Sequence, residues 1–210
     1  LPGLGRLRIS SLEGLELDEP LLEAMGHPAV CPHLHLPLQS GDPGVLRRMN
    51  RRYTPEQFLD VVEAVRRRLP DPAVSTDVIV GFPGETEEAF ERTVDVVRRA
   101  RFSRLHVFPF SPRATTPAAE MPGQVPPEVT RRRVTRLERV GGDLAGAWAA
   151  GFAGREVRVL FERCDHEGYV RGYTDRYVPV RLPAGPEWVE RLAVVRGVRS
   201  DGPELVVEPI

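Results

Sequence analysis

The apolar positions of this chain switch between two periods. His33–Leu38 and Val74–Val80 are short apolar runs of strand length. Each ends in a glycine-bearing turn, Gln39-Ser40-Gly41 and Gly81-Phe82-Pro83-Gly84-Glu85. Between them Phe58, Val61, Val62, Val65 and Leu69 recur at helical spacing, which predicts a helix over Glu56–Leu69. Thr54 with Gln57 three residues on is a capping-box signature, Pro55 fits the first helical position, and Pro70-Asp71-Pro72 stops the run. Ala89, Phe90, Thr93, Val94 and Val97 predict a second helix from about Thr86 to Ala100, and Leu105–Phe110 the next strand. Strands alternating with helices predict parallel pairing with helical crossovers, with chemistry on the loops leaving the strand ends. The continuous Val78–Val80 run predicts a strand buried on both faces.

The flanks read less regularly. Arg6–Leu12 has a β-like centre and predicts a strand, with Glu13-Gly14 past its end. Glu19-Pro20 opens a short helix that Gly26 stops, and Asp42-Pro43 opens another through Leu46 and Met49. Residues 114–127 are rich in Pro, Ala and Gly and predict loop. Val129–Ala150 predicts a long helix with a seam of Val134, Leu137, Leu144, Ala145 and Trp148, bent or broken at Gly141-Gly142. From Gly154 the period becomes two. Val157–Phe161, Tyr169–Tyr173, Val178–Leu182, Leu192–Val198 and Leu205–Val207 are short strands punctuated by glycines, which predicts a small all-β barrel. The boundary is expected near Gly151–Gly154, giving units 1–152 and 153–210.

Charge changes this picture little. Formal net charge is −1, from 29 basic and 30 acidic side chains, so there is no global pull toward nucleic acid or membrane. Every basic residue is arginine, which reads as compositional bias before function. Two cysteines, Cys31 and Cys164, make no disulfide framework and fit a reducing cytoplasm. No apolar run approaches the ~20 residues that span a bilayer, and no leader pattern appears. The start at Leu1 reads as a cut inside a longer gene product.

Candidate chemistry sits at the strand ends. His33 and His35 share a strand face, with Cys31 and His27 nearby. No HExxH or paired CxxC accompanies them, so they read as a hydrogen-bonded pair lining a core, with no metal site expected in this chain. Gln39-Ser40-Gly41 suits the sugar edge or carboxylate of a cofactor and serves equally as an ordinary turn. The Gly81–Glu85 turn has neither dinucleotide nor P-loop spacing. Its Phe82 either stacks on a base or plugs the end of the sheet. Asp77, inside an apolar strand, needs a partner: an arginine or histidine of a neighbouring strand, or a ligand. Arg131, Arg132, Arg133, Arg136 and Arg139 make half of the long helix basic, as solvated faces often are. Arginines interleaved with Tyr169, Tyr173, Tyr177 and Trp188 on a small barrel suit RNA, though acidic residues there are about as numerous.

Taken together, these segments resemble a known family. Arg8-Ile9-Ser10-Ser11-Leu12-Glu13, Cys31-Pro32-His33-Leu34-His35-Leu36-Pro37-Leu38-Gln39-Ser40-Gly41, Val45–Met49 with Arg51–Thr54, Thr76-Asp77-Val78-Ile79-Val80-Gly81-Phe82-Pro83-Gly84-Glu85-Thr86 and His106–Arg113 resemble the C-terminal half of radical S-adenosylmethionine methylthiotransferases. The wording is most similar to the subgroup acting on N6-threonylcarbamoyladenosine at position 37 of tRNA. Ala114-Thr115-Thr116-Pro117 departs from the family's usual Pro-Gly-Thr-Pro. The resemblance implies the C-terminal part of a partial (β/α)6 radical SAM barrel, truncated at its N-terminal side, followed by a small OB-like barrel, the TRAM domain. It implies S-adenosylmethionine and two [4Fe-4S] clusters in the whole protein. Their cysteine ligands, among them a CxxxCxxC motif, are not in this chain, so the piece alone is expected to be inactive. One cofactor molecule would give a methyl group and another, cleaved reductively, would abstract the adenine C2 hydrogen. Ser10, Gln39, Ser40, Asp77, Ile79, Gly81 and Phe108 are the implied cofactor contacts. Arg155, Arg158, Arg171, Tyr173, Arg176 and Arg196 are the implied RNA contacts. The implied partners are a tRNA anticodon stem-loop, an electron donor and the missing N-terminal part, with no membrane.

Other readings remain. They are the isopentenyladenosine or ribosomal-protein relatives, a non-catalytic RNA-binding module, and an unrelated sugar or phosphate enzyme. The last lacks a phosphate cup and an acid–base pair. An isolated partial barrel would expose a strand edge at Arg6–Ser11, so aggregation or partner dependence of the piece is expected.

Overall fold

The computed structural model describes residues 3–13 and 17–210. Three parallel strands, β1 (His33–His35), β2 (Ala73–Val80) and β3 (Arg104–Pro109), lie in the order β1-β2-β3. The helices α1 (Glu19–Met25) and α2 (Pro43–Arg48) flank the first strand, while α3 (Pro55–Arg68) and α4 (Glu87–Ala100) accompany the two crossovers. The side chains of Asp18, Asp42, Thr54 and Thr86 cap these four helices in turn, and Thr54 with Gln57 closes the capping box. Residues 114–126 are irregular apart from a 3₁₀ turn at Pro117–Ala119. The long helix α5 (Pro127–Ala150) then covers β3.

Strand β2 is not buried on both faces. Val74, Thr76, Val78 and Val80 are fully buried against the helices, together with Leu34, Leu36 and Leu38 of the neighbouring segment. On the opposite face Asp77 and Ile79 are only half-buried. Period two separates a closed face from an open one.

Strand β1 is half the expected length. Pro37 has no N–H to donate. Thr76 supplies a substitute: its Oγ1 accepts from Leu38 N at 2.9 Å and donates to the Leu36 carbonyl at 2.6 Å. Pairing resumes at Gln39, whose N–H donates to the Asp77 carbonyl at 2.8 Å. Arg6–Leu12 does not form the expected strand. It makes one bridge, Leu7 with Val30, and Leu12 N donates to the His35 carbonyl at 3.1 Å. The arginines on either side of Leu7 reach away, Arg6 to the Tyr173 carbonyl and Arg8 to the Thr174 carbonyl. Gly14, placed past the end of that strand, lies outside the described residues.

The helix α5 runs unbroken through Gly141-Gly142. Gly141 is there for contact: a Cβ would stand 2.9 Å from the Leu105 Cβ on β3, whereas one on Gly142 would meet nothing within 4 Å. Strands β4 (Glu156–Cys164), β5 (Val170–Thr174), β6 (Pro179–Leu182), β7 (Leu192–Asp201) and β8 (Glu204–Pro209) close a separate barrel in the order β4-β5-β6-β8-β7. Val157, Val159, Phe161, Val170, Val180, Leu182, Val195, Leu205 and Val207 fill it.

The two glycines are expected to part company on substitution. Gly142→Ala removes a helix-interior glycine at an open position and should stabilise by up to about 1 kcal/mol. Gly141→Ala forces β3 and α5 apart and should destabilise by about 1–3 kcal/mol. Urea unfolding of the two variants reads the opposite signs.

Candidate functional site on the open face of the sheet

Three strands side by side bring the inward-facing residues into layers. Nearest the strand C-termini stand Gln39, Ile79 and Phe108; Ile79 and Phe108 are register partners. Phe108 is 50% exposed and stacks along His106, with ring centroids 6.5 Å apart. One step deeper lie Asp77 and His106, again register partners, with the His35 ring reaching up from the step below. His35 Nε2 meets Asp77 Oδ2 at 3.2 Å, so the buried-strand carboxylate finds a neighbouring histidine. The His106 ring packs edge-on to His35 at 5.9 Å, and burial together with Arg104 lowers its pKa. His106 was not singled out from sequence, because nothing local marks it: its partners are on other strands.

The next step down holds Ser75, the register partner of both His35 and Arg104, and His33 lies below it. Ser75 Oγ stands 3.0 Å from both His33 Nε2 and His35 Nδ1. His33 is buried, and its Nδ1 has no partner. An unpaired lone pair costs less than an unpaired N–H, so neutral His33 carries its proton on Nε2 and donates to Ser75. Burial, helped by Arg8, His35 and Arg104, pushes its pKa down to about 3.

The turn after β2 is built around one acid. Gly81 sits at φ +82°, and a Cβ there would lie 2.4 Å from Thr130 Oγ1 on α5. Its N–H donates to Glu85 Oε2 at 2.8 Å, and the same oxygen accepts from Arg133 Nη1 at 2.7 Å. Both side chains are at most 5% exposed, and Arg133 also binds Glu87. Burial pushes the Glu85 carboxyl up, against the pull of the Gly81 amide and the guanidinium. Sequence reading placed Arg133 on a basic helix face; its spacing to Glu85 carries no local signal.

Ser40, Gln39, Ser10 and Phe82 lie in different surroundings. Ser40 is fully buried, beside Thr93 Oγ1 and accepting from Asp42 N at 3.2 Å, so its hydroxyl holds the turn together. Gln39 is half-buried, with φ +63°. Ser10 is exposed in the irregular segment before α1. Phe82 packs on Phe110 at 5.2 Å within a small buried cluster, which decides between its two roles in favour of packing.

In the β-barrel Arg155, Arg158, Arg171 and Arg176 are engaged within the chain. Arg155 binds Asp71 at 2.8 Å, Arg158 donates to the Gly5 carbonyl, and Arg171 is held by Asp165 and Glu204. Arg176 donates to the Asp71 and Pro70 carbonyls, so that loop clasps the sheet unit. Tyr173 stacks on Tyr177 at 4.6 Å, and Tyr177 in turn meets His33 at 5.0 Å and the Arg8 guanidinium at 4.4 Å. Arg196 is exposed and only 4.0 Å from Glu156 at best. Among the described residues Arg163 and Arg191 make no ion pair.

Residues 6–97 match the model of the radical SAM superfamily. This is a radical SAM domain homologous to the tRNA methylthiotransferases. The chain is 37% identical over 206 residues to the threonylcarbamoyladenosine tRNA methylthiotransferase MtaB of Bacillus subtilis, covering 96% of this chain and 46% of the relative. It is 48% identical over 159 residues to a tRNA-2-methylthio-N(6)-dimethylallyladenosine synthase of Parafrankia, covering 75% and 32%. The fold is similar to that of coproporphyrinogen III oxidase of Escherichia coli, a radical SAM enzyme, with TM-score 0.53 and 20% identity over 65% of this chain and 32% of that one. The chain thus spans from about a third to just under a half of the length of these relatives. Its two cysteines, Cys31 buried and Cys164 exposed, are fewer than the three that the family's cluster motif needs.

Two outcomes follow for the radical SAM domain. Arg133→Met leaves Glu85 buried without its cation and should cost about 3–5 kcal/mol in urea unfolding. The unfolded chain protonates His33 below about pH 6.5, while the folded one holds it neutral to about pH 3. The contribution of His33 is therefore complete above pH 6.5 and is lost as pH falls through that window, at up to about 1.4 kcal/mol per pH unit. His33→Gln should flatten the fall of stability between pH 6.5 and 4, measured as denaturation midpoints.

Proposed function

We propose that this chain forms the cofactor wall and RNA-facing end of a cytoplasmic tRNA methylthiotransferase that places a 2-methylthio group on N6-threonylcarbamoyladenosine at position 37. The single observation carrying this is the match to MtaB over 96% of the chain, the β-barrel included. The second reading, the dimethylallyladenosine substrate, is favoured by higher identity over a shorter span, 48% over 75% of the chain.

In this reading residues 1–152 act as the radical SAM unit and 153–210 as the RNA-binding unit. S-Adenosylmethionine, when bound, supplies the methyl group and the hydrogen-abstracting chemistry. The open face suits such a ligand. Gln39 and Ile79 flank the strand ends, the half-exposed Phe108 ring offers a flat apolar surface, and Gly81 keeps a side chain from the turn. These groups bind and orient; they hold a reactive species beside one C–H bond and away from water. Ser40 supports the Gln39 turn from beneath. The clusters' ligands and the electron donor belong outside this chain, since Cys31 and Cys164 do not assemble a three-thiolate site. Phosphate contact falls to the exposed Arg163, Arg191, Arg196 and Arg199, which are unpaired or loosely paired.

Nucleoside mass spectrometry of tRNA from a strain lacking the locus tests this. The 2-methylthio group should vanish from threonylcarbamoyladenosine and return only with a gene extended to include the cluster cysteines. Loss from the isopentenyl nucleoside instead would shift the substrate. No change in either would sink the reading.

A further inference from the structure

We propose that His35, Asp77 and His106 form a binding site for one divalent transition-metal ion, held by three neighbouring strands and separate from any iron–sulfur cluster. The ligand atoms of the three residues all lie within 4.8 Å of one another. His35 Nε2 and Asp77 Oδ2 are 3.2 Å apart. Ligands about 2.1 Å from a common ion stand about 3.0–3.4 Å apart, so these two already form one edge of a coordination polyhedron. His106 closes the face by a side-chain movement of up to about 1.4–1.8 Å, from 4.8 Å to the 3.0–3.4 Å ligand spacing, and among the described residues no group hydrogen-bonds its ring. The His35–Asp77 contact involves two of the three residues. The third imidazole, on the register partner of Asp77, packs against the His35 and Phe108 rings and has no hydrogen-bond partner among the described residues.

Two imidazoles and one carboxylate suit Zn²⁺, Fe²⁺, Co²⁺ or Mn²⁺ and leave coordination positions for water or an oxygen-bearing ligand. Those positions face the open side of the sheet, where His35 and Asp77 are 16% and 28% exposed. A supporting group is present. Ser75 Oγ lies 3.0 Å from His35 Nδ1, so His35 can donate from Nδ1 and turn a bare Nε2 to the ion. Ser75 then accepts from both histidines and donates to the Leu34 carbonyl at 3.4 Å. Arg104, on the same face one layer down, has its guanidinium over the Tyr177 ring, 5.5 Å from the centroid. No sequence motif marks the site, since each ligand comes from a different strand.

The full chain, stripped of metal with a chelator, is titrated with Co²⁺ and followed by ligand-field absorption, with circular dichroism to confirm the fold. One equivalent should bind and be displaced by Zn²⁺. Asp77→Asn and His106→Gln should weaken binding at least about tenfold, and Ser75→Ala by about 10–100-fold through loss of the orienting bond. The surface variants His27→Gln and His166→Gln should leave it unchanged. Absence of saturable binding by the folded chain overturns the proposal, as does binding that survives His106→Gln or is lost with His166→Gln. Should the inner variants fail to fold, the Co²⁺-loaded wild-type chain decides: two histidine N–H protons with large paramagnetic shifts support the site, and none overturns it.

Discussion

A buried carboxylate shared by a backbone amide and a guanidinium holds the working end of this domain together. Glu85 Oε2 takes the Gly81 N–H and Arg133 Nη1, and Arg133 Nη1 also reaches the Glu85 carbonyl at 3.0 Å. A carboxylate this far from water is tolerable only with its charge and lone pairs answered. The turn after β2 can therefore close only when α5 is in place. The φ of Gly81 and the absence of a Cβ against Thr130 meet the same requirement from the backbone side. The shape of a loop between residues 81 and 85 is thus set by a helix that begins at residue 127.

The sheet divides its labour by face. The helix-covered side is aliphatic, with Thr76 its one polar member on β2 and spent on repairing the ladder beside Pro37. The open side is a ladder of polar and aromatic groups that grows drier with depth, from the exposed Phe108 to the buried His33. Ser75 is hydrogen-bonded to His33 and His35, and His35 lies 3.2 Å from Asp77, so one connected set of polar contacts runs down that face. Such a set fixes ring orientations, which a binding site on an open sheet requires.

At the foot of the ladder the β-barrel takes over. Tyr177, held at φ +60°, meets His33 and lies beneath the Arg8 guanidinium. Arg6, Arg8, Arg155 and Arg176 tie the two units through backbone carbonyls and Asp71. Arginine suits this work, since its planar fork serves several acceptors at once. Arg155 and Arg176, from the barrel side, are thus engaged with the sheet unit.

Local patterns determined much of the molecule. Period-3.6 stripes, the Thr54 capping box, the Asp42 and Thr86 caps and the period-two run after Gly154 each report a short-range preference, and each element stands within a few residues of where those patterns put it. The glycine turns at strand ends were legible for the same reason. Whatever depends on residues far apart was decided only by the tertiary structure. Arg6–Leu12 has the composition of a strand but its arginines are drawn to the barrel, so one bridge is all it makes. Gly141 looks like a breaker along the helix and is a contact across it. His106 joins His35 and Asp77, and Arg133 joins Glu85, through pairings 71 and 48 residues apart that no periodicity encodes. Sequence specifies which face a side chain occupies; packing alone decides which other side chain it meets there.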